Sequence, residues 1–190
     1  DYSVIDGNFT SLNVILGGRR FFEDNKAQCL WVPEQEYRRG SWGYVGGKSY
    51  VTKSSRGVVP ASTDNILGTD NNPVFQTARS GIKEFRADVP DGSYSVYLYF
   101  CELSTVDPAE APVYNFGAGG QRLYAGSVFD VSVGGRTVIK DCDIMSEFGE
   151  FRSVVRKVRV VVEGGEGLRV GFDASTGEPY LNAVRIYREF

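Results

Sequence analysis

The chain is rich in carboxylates and contains no histidine. That absence removes Ser-His-Asp and Cys-His nucleophile pairs, His-ligated zinc and the usual general base near neutral pH. Any catalysis would have to rest on carboxylates, Lys, Tyr or Cys. Glu102, Asp130, Asp141, Asp143, Glu147 and Glu178 are of the type that glycoside hydrolysis uses, but that chemistry needs two carboxyl groups at a set separation, and no spacing among them singles out a pair. A solvated strand face or a turn accounts for most of them. The Asp/Asn-rich segment 64–72 offers oxygen atoms to a calcium ion, yet it lacks the alternating ligands and closing Glu of a calcium loop. Gly117-Ala118-Gly119-Gly120 neither follows a strand nor opens a helix with a Lys, so it is no phosphate cradle. Cys29, Cys101 and Cys142 are odd in number and show no CxxC spacing; they read as small buried hydrophobes, with one disulfide plus a free thiol as the other arrangement. No cofactor and no metal is expected.

The aromatic residues carry more information. Residues 33–57 place Tyr37, Trp42, Tyr44 and Tyr50 among repeated glycines that interrupt any period, and residues 104–127 do the same with Tyr114, Phe116 and Tyr124. Both segments are expected to be long loops, and loops of that length in compact domains are usually functional when they are not disordered. Apolar sugar faces stack on aromatic rings, while sugar hydroxyls need carboxylate, amide or guanidinium partners. Trp42, Tyr44, Tyr114 and Phe116 therefore form the expected stacking set. The competing expectation is that these rings pin the loops to the sheet edges.

The elements that would hold such loops are strands. Val128 to Val133 alternates Phe129, Val131 and Val133 with Asp130 and Ser132, and Gly134-Gly135 then leads into a second β-branched run ending at Ile144. A Gly-Gly pair supplies the positive φ angles of a two-residue turn, so this stretch reads as a hairpin with one buried face. Tyr94 to Glu102 is apolar on both faces and is expected to lie centrally in its sheet. Leu12 to Leu16, Cys29 to Val32, Ile82 to Val89, Val154 to Glu163, Leu168 to Phe172 and Tyr180 to Tyr187 complete a count of roughly eight to ten strands, with no amphipathic helix of three turns. The class is all-β: a jelly-roll-like β-sandwich of two antiparallel sheets with long loops at one end.

With 190 residues, 42% hydrophobic and 13% aromatic, the chain suits one domain spanning 1–190 with a sizeable core. A net charge of −3 argues against a general affinity for nucleic acid or anionic membrane, and no apolar run is long enough for a membrane helix. Beginning at Asp1 with Met145 as its only methionine, the chain reads as a processed product or a piece of a longer one.

Several segments together resemble the malectin-like carbohydrate-binding domain, as found at the C-terminus of bacterial glycoside hydrolase family 2 β-galactosidases. They are Glu36-Tyr37-Arg38-Arg39-Gly40-Ser41-Trp42-Gly43-Tyr44-Val45-Gly46-Gly47, Leu67-Gly68-Thr69-Asp70 with Phe75-Gln76-Thr77-Ala78-Arg79, Tyr99-Phe100-Cys101-Glu102-Leu103, Val128-Phe129-Asp130-Val131 with Lys140-Asp141-Cys142-Asp143-Ile144, and Glu178-Pro179-Tyr180-Leu181-Asn182-Ala183. The resemblance implies a jelly-roll-like sandwich with a loop-built sugar site and no catalysis of its own, in a periplasmic or extracellular glycosidase. Its partners would be an oligo- or polysaccharide and the catalytic domains of the parent enzyme. In animal malectin the binding surface consists of loop tyrosines, a Phe and an Asp. Here Trp42 stands near one tyrosine, Ser80 replaces the aromatic after Arg79, Ser104 and Thr105 replace a Tyr-Phe pair, and Gly177 stands near the Asp. The expected carbohydrate-binding residues are Trp42, Tyr44, Arg79, Glu102, Tyr114, Phe116, Glu178 and Tyr180. The alternative is a structural module that packs against its parent and binds no sugar.

Overall fold

Alternating apolar residues dictate strands here, and the computed structural model arranges them in two main sheets. Residues 5–54, 57–59, 61–103 and 126–189 are described. Their elements are β1 (Ser11–Ile15), β2 (Phe22–Asp24), β3 (Cys29–Pro33), β4 (Trp42–Val45), β5 (Lys48–Ser49), β6 (Thr52–Ser54), β7 (Gly57–Val59), α1 (Asn72–Phe75), β8 (Arg79–Ser80), β9 (Glu84–Ala87), β10 (Gly92–Phe100), β11 (Val128–Val133), β12 (Arg136–Cys142), α2 (Ile144–Phe148), β13 (Val154–Val162), β14 (Leu168–Thr176), β15 (Tyr180–Leu181) and β16 (Ala183–Glu189). One sheet runs β13-β10-β16-β1-β3-β2 and the other β12-β11-β14-β9-β4. Pairing is antiparallel throughout the main sheets except between β1 and β3. Two smaller sheets, β15-β8-β5 and β6-β7, complete the set. The all-β sandwich is as expected.

Strand periodicity explains the core. Tyr94, Val96, Leu98 and Phe100 of β10 face inward with Val184 and Ile186 of β16 and Leu12 and Val14 of β1, against Phe129, Val131 and Val133 of β11, Phe85 of β9 and Val170 of β14. Strand β10 pairs along both edges, which places it centrally as its two apolar faces require. Gly134 and Gly135 have φ of 57° and 77°, the positive pair that a two-residue turn between β11 and β12 demands. Phe129 meets Phe100 at 6.0 Å and Tyr180 at 5.5 Å between ring centroids. The hairpin thus supplies the Phe129 ring to the centre of the sandwich. A second cluster, including Ile15, Trp31, Val74, Phe75, Cys101 and Ala183, lies on the outer side of the six-stranded sheet, where α1 and its flanking chain cover one end.

The segment 33–57 departs from the expected loop, because it contains β4, β5 and part of the β6-β7 hairpin. Residues Trp42 to Val45 pair with β9, putting Trp42 opposite Ala87. Gly43 hides this strand from inspection: a Cβ there would lie 2.4 Å from the Gln35 carbonyl oxygen, because residues 35–37 fold back over it. Tyr44 donates its N–H to the Gln35 carbonyl and accepts from the Tyr37 N–H. The turn-rich segment 64–72 also bonds internally and to its neighbours, Ser62 to Asp64, Asn72 to Asn65, Lys26 to Asp70 and Asn71 to Asp24. Among the described residues no group of three or more Cys, Asp or Glu is placed to hold a metal ion. The three cysteines form no disulfide.

Candidate functional site

The small sheet β5-β8-β15 concentrates the polar chemistry. In β5 and β8, Ser49 lies opposite Arg79 and Lys48 opposite Ser80, so the period of two sends Arg79 and Ser49 to one face and Lys48 and Ser80 to the other. Strand β15 sets Tyr180 opposite Ser80 on the second face. Asn182 holds β15 in place. Its fully buried side chain accepts from the Cys101 N–H at 2.8 Å and donates to the Phe75 and Thr77 carbonyls at 3.0 and 2.9 Å.

On the first face, Arg79 is an internal rivet. Its Nε donates to Glu34 Oε2 at 2.7 Å, Nη2 to Glu34 Oε1 at 2.5 Å, and Nη1 to the Gly47 carbonyl at 2.9 Å. Its guanidinium carbon lies 3.4 Å from the centroid of the Tyr44 ring, so one face of that ring is already occupied. The paired side chains are 7% and 9% exposed. Ser49 adds a hydroxyl to Glu34 Oε1 at 3.3 Å. Arg19, Glu34, Tyr44, Ser49 and Arg79 line a cleft of about 360 Å³ above this rivet.

The second face has the same charge types in the opposite setting. Glu178 accepts the Ser80 hydroxyl at 2.8 Å and the Lys48 ammonium at 3.3 Å, and the Lys48 and Glu178 side chains are 73% and 52% exposed. Those two donors hold the Glu178 carboxyl below the usual carboxylate range. Beneath the rim, the Tyr180 hydroxyl donates to Glu102 Oε2 at 2.8 Å in a buried bond. Burial first, and the Glu102 charge second, drive the Tyr180 hydroxyl far above its ordinary value. The arrangement offers a fixed, solvated carboxylate acceptor beside a hydroxyl and an ammonium donor, a set that suits neighbouring sugar hydroxyls.

The structure separates the expected site residues. Trp42 is 2% exposed and lies 6.4 Å from Phe85 in a stacked pair inside the core, which leaves no ring face for a sugar. Its expected stacking role is therefore corrected: pairing with β9 turns the indole inward. Tyr180, Glu102 and Arg79 are 7%, 7% and 6% exposed and are engaged in internal bonds, so they support the rim from within instead of presenting to a ligand. Tyr44 is half-buried beneath Arg79, and of the expected set described here only Glu178 presents a largely exposed functional group. Tyr114 and Phe116 lie outside the described residues. Sequence reasoning missed Lys48 and Glu34, whose partners are 130 and 45 positions away. The Lys48-Ser49 dipeptide next to a double glycine gave no periodic signal.

Fold and rim define a β-sandwich domain that presents polar groups at one small sheet, an architecture for binding or accessory roles. The chain belongs to the malectin family, whose family model, described as the malectin domain, matches residues 10–184. It is thereby a carbohydrate-binding or accessory type of domain. Among solved structures it is similar to Bacteroides uniformis β-glucuronidase, with a TM-score of 0.79 and 26% identity over 100% of this chain, which spans only 19% of that one. Bacteroides uniformis β-glucuronidase 2, bound covalently to cyclophellitol-6-carboxylate aziridine, gives 0.78 and 26% over 99% of this chain and 19% of that one. The ANX2 ectodomain from Arabidopsis thaliana shares the fold at a TM-score of 0.63 and 17% identity, over 94% of this chain and 49% of that one. No protein of curated function matches the chain.

Proposed function

We propose that the chain is a non-catalytic carbohydrate-binding domain of a secreted glycoside hydrolase, holding glycan at the rim formed by Lys48, Ser80 and Glu178. The observation that carries this reading is the Glu178 carboxylate, fixed by Ser80 and Lys48 yet half open to solvent. A preorganised acceptor of that kind does not lose ordering entropy when a sugar hydroxyl donates to it. Malectin-family membership and likeness to part of a β-glucuronidase support a glycosidase parent, and the sequence resemblance favours a β-galactosidase type. Family resemblance also supports an extracellular or periplasmic setting. Among the described residues, no helix is long and apolar enough to cross a membrane.

Stacking by aromatic rings, if it contributes, rests on Tyr44 and on Tyr114 and Phe116, since Trp42 and Tyr180 are enclosed. Affinity from a few exposed hydrogen bonds is expected in the millimolar to micromolar range, about −4 to −8 kcal/mol. A glycan array run with the domain beside its Glu178→Gln variant tests the assignment. Binding by the wild type that is lost in the variant supports it, and equal binding by both places the sugar elsewhere. A second reading draws on the enclosure of Trp42 and Tyr180: with those rings in the core, the domain packs against its parent as a structural module, and neither protein binds any glycan.

A further inference from the structure

An edge strand leaves one row of backbone N–H and C=O groups without a ladder partner, and folded proteins normally blunt such edges. Each main sheet ends in two edges, β13 and β2 in one and β12 and β4 in the other. Three of them are blunted. Strand β2 has only three residues, β4 is covered by residues 35–37, and β12 joins β11 through shifted registers. Strand β13 is different. It runs nine residues, Val154–Val162, against β10 without a shift of register, and it contains neither proline nor glycine. Among the described residues, no strand pairs along its outer edge.

The side chains of β13 divide by the period of two. Val154, Val158, Val160 and Val162 turn toward the core, and Val155, Lys157, Arg159 and Val161 turn outward. The β11-β12 hairpin and α2 run beside this strand: a Cβ on Gly134 would lie 3.8 Å from Val160, and Arg156 reaches Glu147 at 3.5 Å. Val158 and Val160, with Val138 and Ile139 of β12, are only partly buried, so they border an apolar seam where the edges of the two sheets come together. On the outward face Val155 and Val161 are 43% and 62% exposed, with the two cations between them. Arg159 lies 3.3 Å from Glu189 yet keeps its side chain 74% exposed, and Lys157 lies 5.3 Å from the Tyr97 ring centroid.

Charge decides what can lie along this edge. A second copy of β13 is a poor occupant, because antiparallel pairing centred on Val158 sets Lys157 against Arg159 twice. The next face-preserving register on either side sets Lys157 on Lys157 or Arg159 on Arg159. We propose that β13 is a docking edge for an extended acidic segment of a partner protein. The segment joins the six-stranded sheet as a further strand, its apolar residues turned to the seam and its carboxylates turned to Lys157 and Arg159. Backbone bonds supply the attachment, and the alternation of acidic and apolar side chains supplies the selection. The edge shares no residue with the rim of Lys48, Ser80 and Glu178 and does not depend on it.

The test is titration of the domain with a peptide as long as β13 that alternates valine with glutamate, beside one that alternates valine with lysine, read by calorimetry and amide chemical-shift mapping. Expected are shifts and slowed hydrogen exchange along β13, and affinity for the glutamate peptide about tenfold or more above that for the lysine peptide. The variant carrying Lys157→Glu and Arg159→Glu should lose about tenfold in affinity while keeping its fold and any glycan binding at the rim. Two further glutamate peptides leave the protein unaltered: one is N-methylated at its valines and the other at its glutamates, which block opposite edges of a strand. Only one of the two should still bind, since a strand docks through one edge. Equal binding by both methylated peptides, equal binding of the glutamate and lysine peptides, shifts centred on Ser80 and Glu178, absence of binding, or dimerisation of the domain through β13 would each overturn the proposal.

Discussion

The two faces of the β5-β8-β15 sheet use nearly identical chemistry to opposite ends. One residue along the chain separates Arg79, whose ion pair with Glu34 is more than nine-tenths buried, from Ser80, which helps hold a Glu178 side chain that is 52% exposed. In both places a cation meets a carboxylate. Removal of one partner from a buried pair leaves an uncompensated charge in low dielectric, whereas an exposed pair adds little because water and salt already screen it. The burial of a polar cluster therefore separates what holds this domain together from what it can offer to a ligand, and residue type alone does not.

The sharpest way to break the comparison is to empty the core beneath it. Trp42→Ala should lower stability by about 3–5 kcal/mol in a denaturant titration, the cost of a large buried aromatic, since the indole packs on Phe85 with 2% exposure. A mild effect would return Trp42 to the surface. Glu34→Gln should follow, at several kcal/mol by the same measurement, because Arg79 would lose its bidentate partner inside the protein. On the other face Glu178→Gln should shift stability by roughly 0.5 kcal/mol or less while removing glycan retention in affinity electrophoresis. Equal damage from Glu34→Gln and Glu178→Gln would erase the distinction between the faces.

Acid sharpens it further. The folded-state pKa of Glu178 lies below its ordinary value of 4.5, so its small contribution to stability is present above the unfolded value and is lost as pH falls through the folded one. Glycan retention measured against pH should accordingly persist through the ordinary carboxylate value and be lost only at lower pH, as Glu178 protonates in the folded domain. The smallest effect concerns thiols. Burial pushes Cys101 up to about 12 and Cys142 up to about 11, so native-state labelling with a maleimide should modify Cys29 first and the other two only on unfolding.

The sequence displayed some of this plainly and concealed the rest for physical reasons. Phe129, Val131 and Val133 alternate against solvent-side residues, and Gly134-Gly135 marks its own turn, so the hairpin was legible; so was the central place of β10, apolar on both faces. Strand β4 was not. Its outer face is covered by the chain's own residues 35–37 across Gly43, which erases the alternation that would have announced it, and its indole was mistaken for a loop ring. The site suffered in a similar way. Arg79, Glu102 and Tyr180 stand out by type, yet nothing local reveals that Glu34 or Tyr180 itself takes up their polar groups inside the fold. Glu178 was legible as a candidate, while Lys48 and Ser80 acquire meaning only when three short strands meet.

Strands of two residues cannot persist on their own ladder bonds, and all three strands of this sheet are that short. The Arg79 clamp and the Asn182 side chain, with the Tyr180–Glu102 bond and the backbone bonds that flank the strands, fasten them to the rest of the molecule. Loosening of the rim thus requires opening of groups that also join β3, β10 and the turn after α1. In hydrogen exchange, the amides of Ser80 and Leu181 should behave as part of the slowly exchanging body of the domain and not as a fraying edge, with Glu34→Gln releasing them together as one cooperative unit.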